Sequence, residues 1–191
     1  MKWLTNSLLR NLPVPLIHRL LNKPNTKYEH VKKAFLRMNP ELIELLQEKF
    51  LLYSFHLNAQ RIPHYRKFLR NNRMRHATIR TVDDFLQKVP ETNKENYIYK
   101  TDDICQMCIN GDYHNINMFV KSSGHSGRQC YWAKSHKQDI YGRTALSIGL
   151  DENFDANRKK TLIINGFLLG SWVTGINFNE LASWHCPIIN V

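Results

Sequence analysis

The chain has 191 residues, of which 42% are hydrophobic and 23% are charged, so it can build the core of at least one good-sized domain. This composition excludes a disordered or low-complexity chain. The formal net charge is +11 and is unevenly placed, because residues 1–80 hold 16 of the 27 Lys and Arg residues but only four of the 16 Asp and Glu residues. The asymmetry fits either a solvated basic helical face or a surface for an anionic membrane or nucleic acid.

No stretch of the sequence is long and apolar enough to cross a membrane. The longest, residues 162–173, is interrupted by Asn165 and by glycines. The basic N-terminal segment lacks the small-residue cleavage site of a signal peptide. We therefore expect a cytoplasmic protein without a transmembrane segment.

The first 75 residues predict a basic helical N-terminal region. Leucines at helical spacing predict amphipathic helices at residues 3–12 and 16–21, which either pack on the protein or lie on a membrane surface. The clearest helix follows Asn39, a candidate N-cap, with Pro40 in its first turn, and runs to about Arg61. A shorter helix through residues 65–69 follows.

Two sequences of the capping-box type predict the starts of short helices, at residues 81–84 and 92–95. Neither helix offers a row of Arg, Asn or Gln side chains for contacting base edges. The segment therefore gives no indication of specific nucleic-acid recognition.

Cys105 and Cys108 form a CxxC pair, whereas Cys130 and Cys186 stand alone. A zinc ribbon needs a second close pair, so we expect reduced, partly buried cysteines, with metal or redox work as the alternative. The nine histidines are scattered, and no two of them have the spacing of a helical zinc motif. The sequence therefore predicts no metal site of its own.

After residue 110 the pattern becomes that of strands alternating with helices. Strands are predicted at residues 116–120, 129–133 and 161–164, with a helix from Ser135 to about Leu150 and a further helix edge and strand over residues 181–189. The predicted fold class is α/β, with the helical region (1–75) leading into an incomplete α/β sheet over residues 76–191.

The loop between the first two predicted strands has the composition of a phosphate-binding site. Glycines allow backbone N–H groups to converge on an anion, serine hydroxyls add donors, and a guanidinium can hold phosphate oxygens. The spacing is that of neither a Walker A loop nor a Rossmann fingerprint. A plain hairpin turn is the alternative, and the loop is one residue short of a nucleophile elbow. The loop residues are Ser122, Ser123, Gly124, His125, Ser126, Gly127 and Arg128.

This loop resembles the Ser-Ser-Gly-Thr-Thr-Gly-Lys-Pro loop of adenylate-forming ligases, specifically the phenylacetate–CoA ligase branch and its capsule-biosynthesis-type relatives. Five positions agree, while His125 stands in place of Thr, Arg128 in place of Lys and Gln129 in place of Pro. Residues 61–66, 81–95 and 165–175 resemble further elements of that branch in the same order. The resemblance covers about residues 45–191 and the first part of the family's length.

The resemblance implies an enzyme that uses ATP and Mg²⁺ to convert a small carboxylic acid into an acyl adenylate, and then transfers the acyl group to a thiol such as CoA. The loop would hold the β- and γ-phosphates, and the glycine-rich stretch would lie near the acyl side. The family's adenine-binding motif, metal-binding Glu and catalytic Lys have no counterpart here. We therefore expect an N-terminal portion that is inactive alone and that associates, as a homodimer or otherwise, through an open sheet edge. The acyl-pocket residues that the resemblance implies are Phe167, Gly170, Trp172 and Gly175.

A different class of function also fits the sequence. A non-enzymatic interaction protein could use the basic helical N-terminus to bind an anionic membrane surface or nucleic acid. Such binding would weaken as salt concentration rises.

Overall fold

The computed structural model describes residues 11–21, 28–122, 124 and 128–191. Residues 3–10 of the predicted helix at residues 3–12 lie outside the described residues. Ser123 and residues 125–127 of the predicted loop also lie outside them. The chain divides into two compact units: unit 1 holds residues 11–20 and 37–114, and unit 2 holds residues 21, 28–36 and 115–191.

Helices dominate the first half of the chain, and strands enter in the second half. The elements, in chain order, are α1 (Val14–Leu21), α2 (Tyr28–Leu36), α3 (Pro40–Arg61), α4 (Pro63–Asn71), α5 (Val82–Lys88), β1 (Met118–Lys121), β2 (Tyr131–Lys134), α6 (His136–Phe154), β3 (Ile163–Asn165), α7 (Val173–Ala182) and β4 (Ile188–Asn190). Short 3-10 helices lie at His76–Thr78, Ile98–Lys100, Ile104–Met107 and Ile109–Gly111.

The long helix α3 is confirmed, and local chemistry sets both of its ends. The Asn39 side chain accepts a hydrogen bond from the Leu42 amide at 2.9 Å, which satisfies one of the unpaired first-turn donors. The helix ends where Ile62 becomes extended, the conformation that the following Pro63 favours. The core of unit 1 forms where α3 packs on α4, and its buried residues are Phe55, Ala59, Phe68, Leu69 and Ile79.

The two predicted capping boxes have different outcomes. At α5 the Thr81 hydroxyl accepts from the Asp84 amide at 3.0 Å, and the Asp84 carboxylate accepts from the Thr81 amide at 3.2 Å. The second box, predicted at residues 92–95, forms one residue later: the Asn93 and Asn96 side chains accept reciprocally from each other's amides at 2.8 Å. It is followed by a turn and the short 3-10 helix Ile98–Lys100 rather than by an α-helix.

Unit 2 combines helices with small sheets, consistent with a general α/β class. Strands β1 and β2 pair antiparallel, from Met118 opposite Lys134 to Lys121 opposite Tyr131. Strands β3 and β4 pair in parallel across the α7 crossover. Within the described residues these are two separate two-stranded sheets rather than one continuous sheet.

Helix α6 runs further than predicted. Ser135 and Gln138 form its capping box, and the helix continues to Phe154. It ends at Asp155, whose φ of 58° is left-handed, and the Asp155 amide bonds to the Asp151 carbonyl at 2.9 Å. Residues 151–154, beyond the predicted end at about Leu150, therefore form the last turn of α6.

No helix in the described part of the chain is both long and apolar enough to span a bilayer.

Candidate phosphate-binding site

The base of the loop is closed by a pair of hydrogen bonds that extends the β1–β2 hairpin. The Ser122 amide donates to the Cys130 carbonyl at 2.9 Å, and the Cys130 amide donates to the Ser122 hydroxyl oxygen at 3.0 Å. Cys130 is buried, and its packing holds this end of the hairpin in place. Ser122 therefore marks the start of the loop. Its hydroxyl oxygen accepts a hydrogen bond from Cys130, and its hydroxyl hydrogen can be donated to an anion.

Gly124 has a conformation and a surrounding that require glycine. Its φ is +68°, and a Cβ built there would lie 2.7 Å from Cγ of Gln129. Arg128 is exposed at the far end of the loop. The predicted site residues Ser123, His125, Ser126 and Gly127 lie outside the described part of the chain.

The structure brings the base of this loop against the glycine-rich stretch that lies about 50 residues later in the sequence. The Lys121 amide donates to the Ser171 carbonyl at 2.8 Å, and Lys121 forms an isolated parallel bridge with Trp172. The Lys121 ammonium lies 5.2 Å from the centroid of the Trp172 ring, within the range of a cation–π contact. The predicted phosphate-binding and acyl-side segments are therefore neighbours within unit 2.

The four predicted acyl-pocket residues differ in their conformation and contacts. Gly170 has a φ of +88°, which favours glycine. A Cβ at Gly175 would lie 2.1 Å from the Leu168 carbonyl oxygen, so Gly175 allows α7 to start directly against that backbone. Phe167 is half exposed and makes an edge-to-face contact with Phe178, at 6.0 Å between ring centroids, while Trp172 is half-buried. Phe167 and Trp172 are the members that retain apolar surface for a ligand.

A buried asparagine that sequence reasoning missed organises the glycine-rich stretch. Asn165 is 1% exposed; its amide nitrogen donates to the Asn190 side-chain oxygen at 2.9 Å, and its own oxygen accepts from the Phe167 amide at 3.1 Å. Both asparagines are the last residues of their parallel strands, and both strands have the sequence Ile-Ile-Asn. That repeated tripeptide is the signal that could have identified the pair.

A buried ion network anchors the hairpin to the helices of unit 2. The Lys134 ammonium at the end of β2 lies 3.1 Å from the Asp139 carboxylate on α6 and 2.8 Å from the Glu180 carboxylate on α7. The Lys134 and Asp139 side chains are only 11% and 3% exposed. Each charge depends on its partners because the surroundings exclude water.

The CxxC pair lacks the electrostatics of a reactive dithiol. All four cysteines are free thiols, with Cys105 half-buried and Cys108 buried. Burial raises the pKa of the Cys108 thiol, and the neighbouring Cys105 and Asp103 act in the same direction. A raised pKa keeps a thiol protonated at neutral pH, whereas reactive cysteines have a lowered one. Across the described ranges, no group of three or more His, Cys, Asp or Glu residues is arranged to hold a metal ion.

Two glycine substitutions test the close packing at the start of α7. Gly175→Ala should lower the free energy of unfolding by about 1–3 kcal/mol, because the new methyl group overlaps the Leu168 carbonyl. Gly149→Ala is the matched control, since Gly149 also lies in a helix but has open space at its Cβ position. It should raise stability by up to about 1 kcal/mol. Urea unfolding followed by circular dichroism measures both, and equal effects of the two variants would contradict the packing.

The ion network makes a second prediction. Lys134→Met should lower the free energy of unfolding by about 3–5 kcal/mol, because it leaves the buried Asp139 carboxylate without its cation. Arg158→Met is the control, since Arg158 pairs with Asp155 at 3.8 Å in an exposed position, and it should change stability by less than about 1 kcal/mol. The same urea titration serves here, and a Lys134→Met protein as stable as the control would show that the network is dispensable.

No protein-family model matches this chain, and a search of curated proteins gave no significant match. The resemblance to adenylate-forming ligases therefore remains a prediction, and it is tested through the site residues themselves.

Proposed function

We propose that unit 2 carries the ATP-phosphate and acyl-side portion of an adenylate-forming ligase that activates a carboxylic acid for transfer to CoA. The observation that carries the proposal is the contact of Lys121 with Ser171 and Trp172. Activation of an acid by ATP requires the carboxylate and the triphosphate to meet within bonding distance. Two segments that resemble the phosphate and acyl sides of such a site lie side by side, as this chemistry requires.

The described loop residues have properties that suit a polyphosphate. Gly124 leaves the backbone open to close approach, and the Ser122 hydroxyl retains a hydrogen to donate. Arg128 supplies an exposed guanidinium whose paired N–H groups match two phosphate oxygens, and Lys121 supplies a second cation at the base of the loop. The described residues hold no carboxylate cluster for Mg²⁺, so the ion would be held mainly by phosphate oxygens and water, as is usual for nucleotide-bound Mg²⁺.

The proposed chemistry assigns a separate task to each side of the site. A carboxylate oxygen of the acid attacks the α-phosphorus, and pyrophosphate leaves with the electrons of the broken P–O bond. Cations fixed at the loop would stabilise the charge that accumulates on the pyrophosphate. The half-exposed rings of Phe167 and Trp172 would cover the apolar part of the acid.

Phosphate binding is tested by calorimetric titration of the full chain with ATP in the presence of Mg²⁺ and with pyrophosphate. Arg128→Ala should weaken pyrophosphate binding by about tenfold or more, the usual cost of one charge-assisted hydrogen bond. Gly124→Ala should also weaken it, because a side chain is strained at that φ. Lys159→Ala removes an exposed cation elsewhere in unit 2 and should leave the affinity unchanged.

Two results would count against the proposed phosphate site. One is that the wild-type chain does not bind pyrophosphate. The other is that Arg128→Ala and Lys159→Ala weaken binding equally, which would indicate attraction to net positive charge rather than a site.

The basic face of α4 supports a second candidate function, binding to an anionic surface. Phe68 and Leu69 of this helix face the core of unit 1, so Arg66, Lys67 and Arg70 are turned to solvent. Further exposed cations flank the helix, namely Arg61, Arg73, Arg75 and Arg80. A run of this kind attracts phosphate-bearing surfaces without specific recognition.

Vesicles that contain phosphatidylserine, with neutral vesicles and duplex nucleic acid alongside, test this second candidate. If it is correct, binding to the anionic vesicles or nucleic acid should fall steeply with salt, and the double change Arg66→Gln and Arg70→Gln should flatten that dependence. Lys159→Gln together with Lys160→Gln has the same loss of charge in unit 2 and serves as the control. Equal losses in the two double variants would rule out a dedicated basic face.

A further inference from the structure

Two histidines that lie 20 residues apart in the sequence face each other within unit 1. His56 belongs to α3, and His76 begins the 3-10 helix His76–Thr78. Their Nδ1 atoms are 3.4 Å apart, and the ring planes meet at 69°. Both side chains are half-buried, so the fold holds the pair while each residue keeps some exposure to solvent.

The backbone fixes which nitrogen of His56 carries a proton. Nε2 of His56 lies 3.0 Å from the Ile79 carbonyl oxygen. A carbonyl oxygen only accepts, so Nε2 must be the donor, and in neutral His56 the lone pair is therefore on Nδ1. That lone pair faces Nδ1 of His76.

The distance between the two Nδ1 atoms is long for a hydrogen bond and suits a shared metal ion. Hydrogen bonds from N–H groups centre on about 2.9–3.0 Å between heavy atoms. Two imidazole nitrogens at about 2.0–2.1 Å from a tetrahedral Zn²⁺ stand about 3.3–3.4 Å apart. The contact from His56 to the Ile79 carbonyl adds a second feature, because metal-binding histidines nearly always donate their other N–H to a carbonyl or carboxylate.

We propose that His56 and His76 bind a divalent transition-metal ion, with Zn²⁺ as the best fit, through their Nδ1 atoms. The described residues hold no larger cluster of metal ligands, so water completes the coordination. On binding, neutral His76 exchanges its proton from Nδ1 to Nε2 through solvent, and its Nδ1 lone pair goes to the metal. The number of protons is unchanged by this step. The proposal concerns unit 1 and is independent of the phosphate site.

The metal would join α3 to the segment that carries the buried Ile79. A ligand that binds only the folded chain raises its stability. Hard cations such as Mg²⁺ and Ca²⁺ prefer oxygen ligands and should not bind here.

The test is calorimetric titration of the reduced full chain with Zn²⁺, with Mg²⁺ titrated in parallel. One equivalent of Zn²⁺ should bind and raise the thermal midpoint, and Mg²⁺ should do neither. His56→Ala and His76→Ala should each weaken Zn²⁺ binding by more than about tenfold, since even the loss of an outer-shell partner costs that much. His30→Ala removes an exposed histidine in unit 2 and is the matched control.

Two further measurements identify the ligands without relying on the variants. In the wild-type chain, the ring-nitrogen NMR signals of His56 and His76 should shift on addition of Zn²⁺, and those of His30 should not. With Co²⁺ as the probe, the spectrum should lack the charge-transfer band of a cobalt–thiolate bond. The proposal fails if that band appears, since Cys105 and Cys108 would then be the ligands. It also fails if the two histidine signals stay unmoved or if all three variants bind Zn²⁺ equally.

Discussion

The position of the candidate site depends on one buried ammonium group. Lys134 sits between the carboxylates of Asp139 and Glu180 and so joins β2 to α6 and α7. Such a network adds little to the free energy of folding compared with apolar packing, because each charge loses its hydration. The geometry that its charges require permits few alternative arrangements of β2, α6 and α7. Lys134 stands opposite Met118, at the end of the hairpin away from the loop. The network therefore fixes the hairpin at the end away from the loop, while buried Cys130 and the hydrogen bond from Lys121 to Ser171 hold the end that carries the loop.

The second support of the site is the pair of asparagines at the carboxyl ends of β3 and β4. In open α/β arrangements, ligands bind beyond the carboxyl ends of parallel strands, where the connecting loops meet. The Asn165 side-chain oxygen accepts a hydrogen bond from the Phe167 amide, which sets the direction of the chain as it leaves β3. The Asn165 side-chain nitrogen donates a hydrogen bond to Asn190 on the neighbouring strand. The glycine-rich stretch that follows then reaches Lys121, through a backbone hydrogen bond at 2.8 Å. The loop and this stretch thus meet through backbone contacts, which side-chain substitutions leave largely intact.

Features whose partners lie three or four residues apart could be predicted from the sequence, and features with distant partners could not. The cap at Asn39 and the box at Thr81 are local, so their residue types were sufficient to predict them. The box predicted at residues 92–95 formed one residue later because two asparagines offered a competing local arrangement. The contacts of Lys121 with residues 171–172 and of His56 with His76 are set by the fold. No spacing rule in the sequence relates the members of either contact.

The loop also combines a local feature, its composition, with contacts to a distant segment. A hairpin turn needs one residue in the left-handed region, and Gly124 alone would satisfy that need. The loop composition therefore does not separate a plain turn from a phosphate cradle. The surroundings add one observation in favour of the proposed cradle, which is the contact of Lys121 at the base of the loop with a second glycine-rich segment. The two cations, Lys121 and Arg128, stand on either side of Gly124 in the chain. The function of the loop must therefore be decided by how it binds pyrophosphate, with the charge at Arg128 as the variable.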